Sequence, residues 1–175
     1  MTFLNDYQIA ELGDELVQPF RRECVQPASI DLHLGDEFMV PDLGRVRYID
    51  LRSPIDFMKY VTALDTGFVL HPHEFVLGVT EERVTLPDNI VGQINGKSTI
   101  GRLGLMIHVT AGFIDPGFRG PLTLEMKNLL GVPIVLYPGE PICQVVFSQL
   151  EMSAAKPYDG RYQDSEGVVA ARTEV

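Results

Sequence analysis

A chain of 175 residues, 45% apolar and 22% charged, is long enough to bury the core of one domain and too short for two of ordinary size. No stretch approaches the ~20 apolar residues of a membrane helix, and residues 1–6 lack the basic-then-apolar order of a secretion signal, so a soluble, cytoplasmic protein with no membrane partner is expected. With 24 acidic against 14 basic residues the net charge is -10, which argues against polymeric nucleic acid while leaving room for a small anion in a local pocket of cations and backbone N–H groups.

The first predicted element is a short helix. Asn5 is placed to cap it, Gln8 stands at its third position, Ile9 and Leu12 supply its apolar side, and Gly13 stops it. From Ser29 the pattern changes to short apolar runs at 30–34, 68–70, 75–80, 90–94, 122–126, 134–136 and 142–147, separated by Pro and Gly where turns need them. That spacing predicts antiparallel strands in a jelly-roll-like, all-β body. Residues 153–175 have few bulky apolar side chains and no strand pattern, so they are expected to be a mobile tail or an arm that orders over a ligand. Cys24 and Cys143 are far apart and have no neighbouring partner, which predicts two reduced, buried thiols rather than a disulfide or a structural zinc site.

Three segments carry chemistry. Gly96-Lys97-Ser98-Thr99-Ile100-Gly101-Arg102-Leu103-Gly104 gathers glycines, hydroxyls and cations that can meet a phosphate. It is not a Walker loop, because position 91 is Val where that loop needs Gly, and as a bare pattern it reads equally as a glycine-rich turn. In Thr110-Ala111-Gly112-Phe113-Ile114-Asp115-Pro116-Gly117-Phe118-Arg119-Gly120 a single carboxylate either holds a water or a sugar hydroxyl, or caps the Pro-Gly turn. Glu125 lies in an apolar strand between Leu124 and Met126. A carboxyl held off water can trade protons, yet alternation puts Glu125 on the same face as Thr123 and Lys127, which by itself favours a solvated outer face. His71, His73 and His108 belong to no complete metal-ligand pattern.

Taken in order, these segments resemble the dCTP deaminase branch of the dUTPase superfamily. Gln26-Pro27-Ala28-Ser29-Ile30-Asp31-Leu32 is similar to its first motif, residues 96–105 to the second, 111–120 to the third, and Gly139-Glu140-Pro141-Ile142-Cys143-Gln144 to the fourth. Pro157-Tyr158, Arg161-Tyr162-Gln163 and Gly167 resemble the C-terminal segment that closes on phosphate. The resemblance implies one domain over 1–175: a distorted jelly-roll β-barrel of the dUTPase-like type, with a helical region at 1–15 and an arm at 153–175 closing over nucleotide.

By residue, the resemblance implies a deaminating site of Glu125, Ser98 and Arg102. Glu125 would take a proton from the water that attacks cytosine C4 and pass protons to N3 and the leaving amine, while Ser98 and Arg102 orient the participants. Asp115 would hold the deoxyribose 3′-hydroxyl and the water that attacks phosphorus. Lys97, Thr99, Thr110, Ala111, Gly112, Tyr158, Arg161 and Gln163 would contact substrate, Gln163 in place of a tail Gln where this chain has Ser165. Mg2+ would arrive with the triphosphate. No zinc is implied, since the H-x-E and P-C-x-x-C ligands of zinc deaminases are missing from the sequence. Single-function deaminases often carry a bulky His where this chain has Gly112, so the expected sequence is dCTP to dUTP to dUMP, feeding thymidylate synthesis. The alternatives are a dUTP or dCTP diphosphatase without deamination and a non-catalytic nucleotide-binding regulator. The resemblance also implies homotrimers, with hexamers as a further assembly, and a cytoplasmic address, or the host cytoplasm for a viral protein.

Overall fold

In a computed structural model of the chain, which describes residues 2–52, 56–63 and 65–172, the predicted capping box is formed. Asn5 Oδ1 accepts from the Gln8 N–H at 3.0 Å and Gln8 Oε1 from the Asn5 N–H at 3.1 Å. They open helix α1 (Asp6–Leu12), which buries Ile9 and ends at Gly13, whose φ of +43° a side chain would resist.

Thirteen strands follow among the described residues: β1 (Thr2–Phe3), β2 (Val17–Gln18), β3 (Val25–Gln26), β4 (Ser29–Pro41), β5 (Met58–Thr62), β6 (Phe68–Leu70), β7 (Phe75–Thr85), β8 (Ile90–Gly96), β9 (Leu105–Met106), β10 (Phe113–Ile114), β11 (Arg119–Asn128), β12 (Ile134–Leu136) and β13 (Pro141–Gln149). The main sheet runs β10-β8-β13-β4-β7-β11-β9, and β6 pairs only with β12. The pairings are antiparallel, and the sheet curls into the half-barrel expected of a jelly roll. Strand β4 makes the curl. Its residues 30–33 pair with β13, Leu34 and Phe38 pair with β7, and the register slips in between. Gly35 lies in that slip, where a Cβ would meet Val79 Cγ1 at 3.1 Å and Val79 O at 3.2 Å. A side chain there would push the two strands apart.

Leu32, Leu34, Phe38, Leu124, Met126 and Phe147 are fully buried, each contributing about 1.5–3 kcal/mol by leaving water. Phe38 stacks on Phe68 with ring centroids 4.2 Å apart. The two thiols are free and buried as expected, and burial pushes both Cys24 and Cys143 upward. Beside Cys24 a polar knot crosses the core: Arg21 Nη1 donates to Glu82 Oε1 at 2.7 Å, Arg21 Nη2 to Glu81 Oε2 at 2.8 Å, and the His33 N–H to Glu82 Oε2 at 2.8 Å. Glu82 is 2% exposed, so this pairing is what makes its burial tolerable.

The glycine-rich segment holds an element the sequence did not announce, a short helix α2 (Ser98–Arg102). The arm contains no helix or strand over 153–172, as expected, yet it packs against the body and buries Ser165 and Val168. Among the described residues no helix is long and apolar enough to cross a membrane.

Candidate active site

Strand β11 alternates as its sequence predicts: Leu122, Leu124 and Met126 point into the core, and Thr123, Glu125 and Lys127 share the other face. That face is not bare. Glu125 is half-buried and lines a cavity of about 680 Å³, together with Asp115, Ala111, His108, Thr123 and Tyr158. Segments remote in sequence provide the cover, which is why strand periodicity alone favoured solvent. Glu125 Oε2 accepts the Thr110 N–H at 3.3 Å, and the Glu125 N–H faces His108 Nδ1 at 3.4 Å. His108 Nε2 is buried with no hydrogen-bond partner. The sequence offered His108 only as a rejected metal ligand, and its place beside the strand carboxylate depends on a chain reversal that spacing does not reveal.

Asp115 reaches the same cavity because its turn is closed by backbone. The Phe118 N–H donates to Asp115 O at 3.2 Å and the Gly117 N–H to Leu86 O at 3.0 Å, while the Asp115 carboxylate accepts no hydrogen bond among the described residues and lines the cavity. The turn-capping alternative therefore falls away. Before it, β10 pairs with β8, and the Ile94 N–H donates to Gly112 O at 2.7 Å. A Cβ on Gly112 would stand 3.1 Å from Ile94 O and 3.8 Å from His108 Cδ2, so a side chain there would crowd two residues that line the cavity.

The arm closes another side. Its Tyr158 N–H donates to Pro116 O at 2.7 Å, and the Tyr158 ring lies 5.7 Å from that of Phe118, tilted by 60°. Gln163 is turned away from the cavity: Nε2 donates to Gly117 O at 2.8 Å and Oε1 accepts from the Arg119 N–H at 2.9 Å. Arg161 donates to Arg172 O, and Ser165, at the position of the expected tail Gln, lines the cavity.

A second cluster gathers the remaining motif segments where β4, β13 and β8 run side by side. Lys97, leaving β8, is ion-paired with Asp31, and Gln26 Nε2 donates to the same Asp31 oxygen at 3.3 Å. Ser29 Oγ donates to Gln144 Oε1 at 3.2 Å. Asp31 is 8% exposed and its Oδ1 has no partner. The sequence quoted these residues within motifs without giving Asp31 or Gln144 a role. Ser98, Thr99 and Arg102 stand exposed on α2, their side chains form no hydrogen bond with the described residues, and they do not line the Glu125 cavity. A single chain thus brings Glu125, Asp115, Ala111 and Tyr158 together and leaves Lys97, Ser98, Thr99 and Arg102 apart from them.

The one cluster of three metal-type donors among the described residues is His33, Glu81 and Glu82, and the Arg21 guanidinium already bonds to both carboxylates there.

Known proteins resemble this chain in sequence and in fold. Chains from Methanosphaera stadtmanae (41% identical, over 95% of this chain and 88% of that one) and Beutenbergia cavernae (45% identical, over 98% and 95%) both carry the name dCTP deaminase, dUMP-forming. Among solved structures, the 2'-deoxycytidine 5'-triphosphate deaminase from Agrobacterium tumefaciens superposes with a TM-score of 0.67 at 29% identity. The superposition covers 83% of this chain but 46% of that longer one. The dUTPase from Streptococcus mutans, at a TM-score of 0.50 and 20% identity over 77% of this chain and 88% of that one, shares the fold. The sequence pattern of the dCTP deaminase-like family matches residues 3–150. Because that match runs through both clusters, from the surroundings of Asp31 to Glu125, the chain belongs to the dCTP deaminase-like family.

Proposed function

We propose that the chain converts dCTP and water to dUTP and ammonia, then dUTP and a second water to dUMP and diphosphate. The observation that carries this is a cavity lined by three carboxylates in different surroundings: Glu125, half-buried on β11 under the Thr110 N–H, Asp115, exposed with no hydrogen bond to its carboxylate from the described residues, and Asp56, which accepts the Met58 N–H at 3.1 Å and so is tied to its own strand. Two hydrolyses at two ends of one nucleotide need two such groups. Glu125 takes a proton from the water that adds to C4, delivers it to N3, and moves a further proton to the amine as the C4–N bond breaks. Asp115 holds the sugar 3′-hydroxyl and the water that attacks phosphorus. The relatives' name, with its dUMP product, supports the pairing of the two steps.

Ser98 and Arg102 enter from a neighbouring copy in a homotrimer. Their exposure, and the absence of side-chain hydrogen bonds from them among the described residues, support this reading, and a guanidinium facing the cavity would stabilise charge that develops on the ring. Lys97 and Thr99 accompany them toward the phosphates. Mg2+ comes as part of the substrate, bound to the triphosphate, and the unpartnered Asp31 Oδ1 offers an acceptor for a metal-bound water. Tyr158 closes the nucleotide side as the arm folds over, with Arg161 and Gln163 holding the arm's shape. The whole chain acts as one domain in the cytoplasm, where such nucleotides are dissolved.

Product analysis tests the proposal. Incubation of the full chain with dCTP and Mg2+ should release ammonia and dUMP in equal amounts, and Glu125→Gln should abolish ammonia release while dCTP still binds. Appearance of dCMP without ammonia would remove the deamination step.

A further inference from the structure

Beyond residues 153 and 154, which bond to Asp88, the part of the arm that borders the cavity is fastened by contacts that differ in kind. At its base the Tyr158 N–H donates to Pro116 O, and the Gln163 amide grips the backbone at 117 and 119. At its far end Val168 is buried against Leu77 and Val79. There the Val168 N–H donates to Glu37 Oε2 at 3.0 Å and the Val169 N–H to Thr123 Oγ1 at 3.4 Å. Between them stands Asp164. Its carboxylate takes a forked pair of bonds from Arg119, 2.7 Å from Nη2 and 3.1 Å from Nε, with Arg83 Nη2 at 3.7 Å, and its N–H donates to Arg119 O at 2.8 Å.

We propose that Asp164 is the releasable catch of this arm, a positioning residue that sets how long the cavity stays closed on its nucleotide. The inference rests on the proposed reaction for its functional meaning and on the arm's own contacts for its physics. A permanent anchor is buried, as Val168 is. The Asp164–Arg119 pair is instead half exposed on both sides, 51% and 50%. Such a pair adds little to global stability and weakens as salt screens it, yet its forked geometry is specific. It can break and re-form without opening the core.

Its neighbours make the break consequential. Tyr162 and Ser165, on either side of Asp164 in sequence, both line the cavity, and from the body they are held near Asp164 only by a long bond from Arg83 Nη1 to Ser165 O at 3.4 Å among the described residues, so freeing the catch loosens two wall residues. Asp164 itself has φ +51°, a left-handed conformation that Asp tolerates better than most residues. The chain there turns from the Gln163 anchor toward the wall, and the two arginines hold that turn from outside. Opening would then be local, the kind of low-energy event that lets a lid move while the sheet stays intact.

Hydrogen exchange of the full chain, followed by mass spectrometry with and without dCTP, tests this through the amides of Asp164, Ser165, Val168 and Val169. In Asp164→Asn, which keeps shape and removes charge, their exchange should rise about fivefold while β4, β7 and β11 are unchanged. In the parent chain, raising salt from 0.05 to about 0.5 M should speed the same amides toward the variant's rate. The KM for dCTP should rise about threefold or more in the variant with kcat equal or higher. Unchanged exchange at these amides in the variant, or indifference to salt in the parent, overturns the catch. So does faster exchange across the whole sheet, which would mark Asp164 as a plain stability residue. Because exchange does not depend on turnover, a chain that fails to deaminate could still show the catch, and an active chain with a salt-blind arm would lack it.

Discussion

Gly112→His asks whether the space beside Asp115 serves the second hydrolysis. The backbone at Gly112 accepts a side chain, since its φ lies outside the left-handed region, and the new Cβ would meet Ile94 O at 3.1 Å and His108 Cδ2 at 3.8 Å. The first contact is tight by a few tenths of an ångström, so overpacking costs about 1 kcal/mol. For a chain of this size that lowers Tm by about 2–4 °C, and the variant still folds. Ile94 and His108 both line the cavity, so an imidazole at position 112 is built against cavity-lining residues. A ring larger than one water, whose share of volume is about 30 Å³, displaces any water held at Asp115. Misplacing that nucleophile by about 1 Å costs on the order of 100-fold. The expected result, followed by ion-exchange separation of nucleotides and a coupled ammonia assay, is a switch of product from dUMP to dUTP, with ammonia release kept within about threefold. Parent-rate formation of dUMP by the folded variant would refute the assignment of this space to the second water, and equal loss of both products would show that Gly112 shapes the pocket as a whole.

Asp115→Asn, close to isosteric, should lower diphosphate release from dUTP by about 100-fold or more while ammonia still forms from dCTP; dUTP should accumulate in the same chromatographic assay. Arg21→Ala strips Glu82, 2% exposed, of its guanidinium partner; because a third of the Arg21 side chain is exposed, the loss should be about 2 kcal/mol, below the ~3–5 of a fully buried pair, and a Tm within a degree of the parent would contradict it. The Asp164 carboxyl is held below the usual carboxylate range, chiefly by its hydrogen bond from Arg119 and further by the charge of Arg83. A depressed pKa means that arm docking through Asp164 is complete above the ordinary carboxylate value and is lost as pH falls through the lowered one. Hydrogen-exchange protection of the Asp164 and Ser165 amides, taken relative to the intrinsic rate at each pH, should therefore hold at pH 5 and fall only below about pH 4; a fall already between pH 7 and 5 would point to another group.

Much of the fold was legible because it is written in short-range chemistry. Asn5 and Gln8 specify their helix within four residues, and the apolar runs around Leu32, Leu124 and Val145 declare strands by alternation between Pro and Gly breaks. What the sequence did not reveal depends on distant neighbours. Helix α2 is one short turn with an exposed surface, so it carries no amphipathic pattern to detect. Strand β5, Met58–Thr62, exists because β4 runs past its own turn and needs a partner. Glu125 shows the same limit at the site: its face was correctly assigned, but its burial comes from residues 108–115 and from the arm, whose approach no local pattern encodes. Gln163 was expected at the substrate, and its amide instead matches the backbone groups of Gly117 and Arg119.

The separation of the two clusters leads to the last test. Glu125 and Asp115 have a cavity but no cation from α2, whereas the Arg102 and Ser98 side chains have no hydrogen-bond partner among the described residues. If a site is completed across a symmetric interface, each chain gives its carboxylates to one pocket and its α2 to another. Two variants that are each inactive, Glu125→Gln and Arg102→Ala, should then rescue one another. After co-refolding at equal amounts, a pocket works only when an Arg102→Ala chain supplies Glu125 and its neighbour, a Glu125→Gln chain, supplies Arg102. Random assembly gives that arrangement in about a quarter of pockets, so ammonia release should recover to about a quarter of the parent rate. A mixture as inactive as its components, in mixed trimers verified by native mass spectrometry, would mean that each chain closes its own site, with α2 moving to the cavity by a change within the chain.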